Sequence, residues 1–147
     1  MKIIFICIFH LLSIFNFAQG FKNPYLIVLG TIQDAGSPHM GCQKSCCEEL
    51  FKNPDATRKV VSLGIIDPLE KKYWLIDASP DFPSQCKILK STAGFNHKET
   101  PDGIFLTHAH IGHYTGLMYL GKESMNSVNI PVYAMPKMEE FLTNNGP

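Results

Sequence analysis

The segment FLTHAHIGHYTGL, residues 105–117, places three of the chain's six histidines within six positions. An apolar run leads into it and a glycine-containing apolar run follows, so the crowding falls where a strand gives way to a helix. Side chains two apart on a strand point the same way, which aims His108 and His110 at one point. His113 starts the helix, whose first turn can bring it back toward the same place. Neutral imidazole is the commonest biological ligand for divalent metals, and several converging with an open position make a catalytic rather than a closed structural site. A strand running straight into a helix at such a turn demands an architecture of both sheet and helices.

The rest of the chain reads the same way. YLIVLGT (25–31) is a buried strand entering a loop. That loop, IQDAGSPHMGCQKSCC, is rich in turn formers and too long for a mere connector, so a role of its own is expected. RKVVSLGIID (58–67) and KKYWLIDA (71–78) are β-rich runs separated by PLE, the pattern of a hairpin. After Asp77 the period changes: Ser79 is the expected N-cap, Pro80 the first helical residue, and FPSQCKILKS continues with helical spacing, Pro83 still fitting in the first turn. DGIFLTH (102–108) is the next strand, HYTGLMYLGKE (113–123) a helix, IPVYAMP (130–136) a strand and PKMEEFLTNNG a closing helix. A hairpin followed by strand-helix alternation gives an α/β layered fold, a mixed sheet with flanking helices. The alternation stops at Asn145-Gly146-Pro147, which leads us to expect a truncated domain with a sheet edge and one face uncovered.

Composition narrows the class. A chain of 147 residues, 45% hydrophobic and 18% charged, is that of a soluble globular domain, here residues 21–147. Thirteen basic residues balance thirteen acidic ones without a cationic stripe, which argues against a nucleic-acid or anionic-membrane surface. The expected partner is a small-molecule substrate, with homodimer formation left open. Residues 1–20 stand apart: Lys2, an apolar run from Ile3 to Phe17, and the small-residue site Ala18-Gln19-Gly20 read as a signal peptide cleaved after Ala18 or Gly20. The competing readings are a membrane anchor or a buried helix, but the run is short of the roughly 20 residues that span a bilayer. Export to the periplasm or exterior is the expected address, with no membrane contact after cleavage.

The histidine segment resembles the signature H-x-H-x-D-H of the metallo-β-lactamase superfamily, an αββα sandwich with metals at one edge of its two sheets. The chain then looks like the N-terminal half of such a sandwich. The resemblance implies that His108 and His110 ligate the first metal and that His113 serves the second metal or hydrogen-bonds the nucleophile. Gly112 stands where the signature has aspartate, which implies a weakened second metal position. Asp77, closing YWLIDA, is similar to the superfamily aspartate that supports the metal loops through hydrogen bonds; the competing reading is an ordinary turn aspartate. Within the superfamily the likeness is to the pyrroloquinoline quinone biosynthesis protein B family. It rests on LIVLGTIQDAGSPHMGCQKSCC, DASPDFPSQ, HYTGLMYLGKE and IPVYAMPKMEEFL, and spans nearly all of residues 24–147.

That resemblance also implies a structural zinc held by Cys42, Cys46 and Cys47, with His39 or a residue elsewhere as fourth ligand. A disulfide from this group to Cys86, one within it, or free thiols remain open, since an exported chain meets an oxidising compartment. Cys86 reads as a small core residue. The implied activity is metal-dependent hydrolysis of an unidentified small substrate with one or two zinc ions; iron and oxygen chemistry are the variant. The alternatives are a truncated or degenerate exported protein that binds metal or ligand without catalysis, and a small disulfide-stapled binding module.

Overall fold

Alternating apolar residues in short β-rich runs build a five-stranded sheet in the computed structural model, which describes residues 22–95 and 98–145. The strands are β1 (Tyr25–Gly30), β2 (Ser62–Asp67), β3 (Lys72–Ile76), β4 (Gly103–Phe105) and β5 (Val132–Tyr133), and they lie side by side in that order. β1–β2 and β2–β3 pair antiparallel, whereas β3–β4 and β4–β5 pair parallel. The sheet is therefore mixed, as the hairpin followed by strand-helix alternation requires. The helices are α1 (Ser45–Lys52), α2 (Phe82–Ala93), the single turn α3 (Ile111–Tyr114) continued as a 3-10 helix (Thr115–Leu120), and α4 (Pro136–Asn144).

One face of the sheet is closed by α2. Leu29, Ile66, Tyr73, Leu75 and Ile104 meet Phe82, Cys86 and Leu89 in a single buried cluster that also takes in Leu106 and Met138. Leu89 is fully buried, which is worth about 2 kcal/mol of transfer free energy. It fits because β2 carries glycine beneath it: a Cβ on Gly64 would lie 2.4 Å from Leu89 Cδ1. The opposite face stays open among the described residues, with Leu26 and Val28 64% and 65% exposed and Phe105 stacked on Tyr133 at 4.7 Å.

Some local expectations differ from the structure. Neither Ser79 nor Pro80 opens the helix: α2 starts at Phe82 behind Asp81, and Pro83 is the proline of its first turn. The Ser79 hydroxyl instead donates to Gln85 Oε1 (2.7 Å) and accepts from the Asp81 N–H (3.1 Å). Asp81 makes no side-chain cap bond; its carboxylate accepts the Val60 N–H at 2.8 Å. The helix expected over 113–123 begins earlier and tightens after Tyr114, where the Gly116 N–H bonds the Ala78 carbonyl (2.8 Å) across the chain. Of the run 58–67 only the second half is strand; Val60 makes an isolated bridge to Ile32. The segment read as a signal peptide lies outside the described residues. Among the described residues no helix is long and apolar enough to cross a membrane.

Candidate metal centre

Because β2 runs against both β1 and β3, while β4 runs with β3, the carboxyl ends of β1, β3 and β4 share one edge of the sheet. Open α/β sheets place their ligands beyond such ends. Here the loop after β1 delivers Asp34, the end of β3 delivers Asp77, and the segment after β4 delivers Thr107, His108 and His110.

Asp77 is buried and sits at φ +64°, in the left-handed region that side-chain-bearing residues seldom adopt. Holding it there costs on the order of 1 kcal/mol and needs surroundings that leave no alternative. Its N–H donates to the Phe105 carbonyl at 2.8 Å, and Ser62 Oγ donates to its carbonyl at 3.0 Å. Its carboxylate accepts the Thr107 N–H and hydroxyl, each at 2.9 Å, and lies 2.8 Å from His113 Nδ1. Thr107 Oγ1 is in turn 2.9 Å from His108 Nδ1. One proton arrangement satisfies every contact: His113 Nδ1–H donates to Asp77, Thr107 O–H donates to Asp77, and His108 Nδ1–H donates to Thr107. Both rings then carry their free lone pair on Nε2, the pattern a carboxylate imposes on metal-ligating histidines.

The α3 turn locks His113 in place. Its N–H donates to the His110 carbonyl (2.9 Å) and its own carbonyl accepts from Ala78 (2.8 Å). The rings run in a row with His108 in the middle, centroids 4.5 Å from His110 and 4.1 Å from His113. His108 and His110 are exposed, while His113 is buried. The three ring nitrogens do not all draw together at one point; among the described residues only Cys42, Cys46 and Cys47 bring their ligand atoms all within 4.8 Å of one another.

Two residues gain a meaning that spacing did not supply. Asp34, from the turn-rich loop after β1, places Oδ2 3.6 Å from His110 Nδ1. Gly112 is where that loop comes closest: a Cβ there would fall 2.4 Å from both Cβ and the carbonyl oxygen of Asp34. The glycine answers a packing demand, since the backbone of Asp34 stands in the way of any side chain at this position.

In the loop around α1, Cys42, Cys46 and Cys47 are free thiols, respectively half-buried, exposed and buried. Hydrogen bonding to Cys47 holds Cys42 below the usual thiol range, and the same bond pushes Cys47 up. His39 does not join them; its Nδ1 accepts the Gly41 N–H at 3.1 Å. Cys86 lies in the core, where burial pushes its thiol up to about 12. A hollow of about 230 Å³ beside α2, lined by Phe82, Cys86, Tyr119 and Met125, includes none of the histidines.

The family model described as Beta-lactamase superfamily domain matches residues 72–147, more than half of the chain. Among solved structures, the chain is similar to Zn(2+)-bound PqqB from Methylobacterium extorquens, at 23% identity and a TM-score of 0.59, over 82% of this chain and 40% of that one. It is also similar to a diphosphatase from the PhnP family, at 28% identity and a TM-score of 0.58, over 83% of this chain and 46% of that one. The chain thus spans less than half the length of either structure. No curated protein matches the sequence.

Proposed function

Because the chain belongs to the metallo-β-lactamase superfamily, we propose that it is part of a metal-dependent hydrolase acting on a small-molecule substrate, exported after cleavage behind Ala18 or Gly20. The observation that carries this reading is Asp77, which holds His113 directly and His108 through Thr107. A buried carboxylate that orders two neighbouring imidazoles and leaves each with one free nitrogen is what a divalent ion needs of its surroundings. His108 and His110 would hold the ion, and His113 would hold a second ion or hydrogen-bond the nucleophile. When bound, such an ion supplies Lewis acidity and makes water a competent nucleophile at neutral pH. The chain's own residues do the rest: Asp77 and Thr107 fix the tautomers of His113 and His108, and the α3 turn holds His113 against Asp77. Zinc fits a set rich in imidazole, and the Zn(2+)-bound neighbour supports it. The diphosphatase neighbour makes phosphate esters the first substrates to try.

The test is elemental analysis of the purified chain together with hydrolysis of bis(p-nitrophenyl) phosphate before and after chelation. Bound zinc and turnover that is lost with chelator and restored by zinc are expected. Metal that is bound without turnover on phosphate esters, lactones or β-lactams would favour a non-catalytic metal-binding protein. That second reading draws on the cysteine group, whose converging sulfurs suit a closed structural ion.

A further inference from the structure

The histidine signature of this chain has no carboxylate of its own, yet one stands beside it. We propose that Asp34 is a metal ligand, supplying from the loop after β1 the anionic donor that the histidine segment lacks, with Gly112 bare so that this loop can enter. The inference rests on the metal-hydrolase reading of the same edge.

The distance is the first argument. Asp34 Oδ2 lies 3.6 Å from His110 Nδ1, too long for a hydrogen bond. Two donors on one tetrahedral ion, each bonded at about 2.1 Å, stand roughly 3.4 Å apart. The pair is thus spaced as two ligands of one ion. A plain surface ion pair would explain the approach of the charges, but not the second observation. At Gly112 the obstruction is Asp34's own Cα, Cβ and carbonyl oxygen, at 2.6, 2.4 and 2.4 Å from an added Cβ. Position 112 has therefore given up its side chain to the residue that carries the carboxylate. The loop is braced in that position at its base: Thr31 and Ile32 donate to the Lys59 carbonyl at 3.1 and 3.0 Å, and Val61 donates to the Ile32 carbonyl at 2.8 Å. At its turn Gln33 bonds Gly36 and Ala35, each at 2.9 Å. The carboxylate of Asp34, one-third exposed, points to His110.

The experiment titrates the full chain with cobalt(II) and zinc, following visible d–d absorption and heat of binding. Thiolate ligation adds near-ultraviolet charge-transfer absorption, so the cysteine group is distinguished without mutation. The unaltered chain is expected to show a site without thiolate character that His110→Ala abolishes. Asp34→Asn, nearly isosteric, should weaken that site at least about tenfold and alter its d–d envelope, with circular dichroism unchanged. Gly112→Ala, which displaces the loop, should weaken it similarly, and the double variant should be no weaker than the worse single one, the signature of one shared interaction. If His110→Ala abolishes the site while Asp34→Asn binds with unaltered affinity and spectrum, the proposal is overturned and the hydrolase reading stands. Additive losses in the double variant would likewise remove Gly112 from the argument. A chain whose only cobalt signal is thiolate in character would overturn both.

Discussion

The two places where this chain gathers metal-ligating side chains are built on opposite plans. In the cysteine loop three sulfurs meet within 4.8 Å, and all come from the six residues 42–47. Local backbone is enough: the start of α1 turns Cys46 and Cys47 back on Cys42. Those sulfurs are ordered by one another and by neighbouring backbone, that of Lys44 for Cys42 and of His39 for Cys47. At the histidine edge the donors are drawn from the ends of three strands and held by other side chains, above all by Asp77. A site assembled locally can form with little of the fold and suits an ion that closes a loop. One braced through the core is preorganised, the condition for catalysis.

The contrast can be broken by variants on each side. The largest effect belongs to Asp77→Ala, which leaves the Thr107 N–H and His113 Nδ1 without their acceptor. We expect a loss of about 3 kcal/mol in urea denaturation and a 10- to 100-fold loss of affinity for metal at the histidines, of about the size seen for such supporting partners. Unchanged stability and affinity would show that the edge is not braced as described. A smaller and more local effect is expected of Cys46→Ser. Cobalt charge-transfer absorption should disappear, with the thermal midpoint of the metal-free chain within about 2 °C of the original, as for an exposed substitution. A large fall in the metal-free midpoint would mean that the cysteine loop is part of the fold's support.

The smallest effect is in thiol chemistry. Since hydrogen bonding lowers Cys42 and raises Cys47, the Cys42 thiolate persists to lower pH, and iodoacetamide should label Cys42 before Cys47 as pH rises. Cys86, pushed up to about 12 by burial, should label only on denaturation. Equal labelling of Cys42 and Cys47 at every pH, read by peptide mass mapping, would remove the asymmetry.

Periodicity and turn chemistry in the sequence determined the strands, the hairpin, the mixed sheet and the crowding of His108, His110 and His113 at a strand-helix junction, because those properties follow from side chains a few residues apart. The motif resemblance singled out Asp77, and YWLIDA shows it only as a residue closing a strand. The helix starts at Phe82 rather than at Ser79, and around that start the Ser79 hydroxyl pairs with Gln85 and the Asp81 carboxylate with Val60, partners that no local pattern announces. What tertiary structure alone decided is the company each group keeps. Only the parallel ends of β1, β3 and β4 bring Asp34 to His110 and seat Asp77 under His113, and only the close approach of the Asp34 backbone explains why position 112 is glycine. Contacts between distant segments depend on how strands are ordered in the sheet, and that order is set by burial of a whole face rather than by any residue's neighbours in the chain.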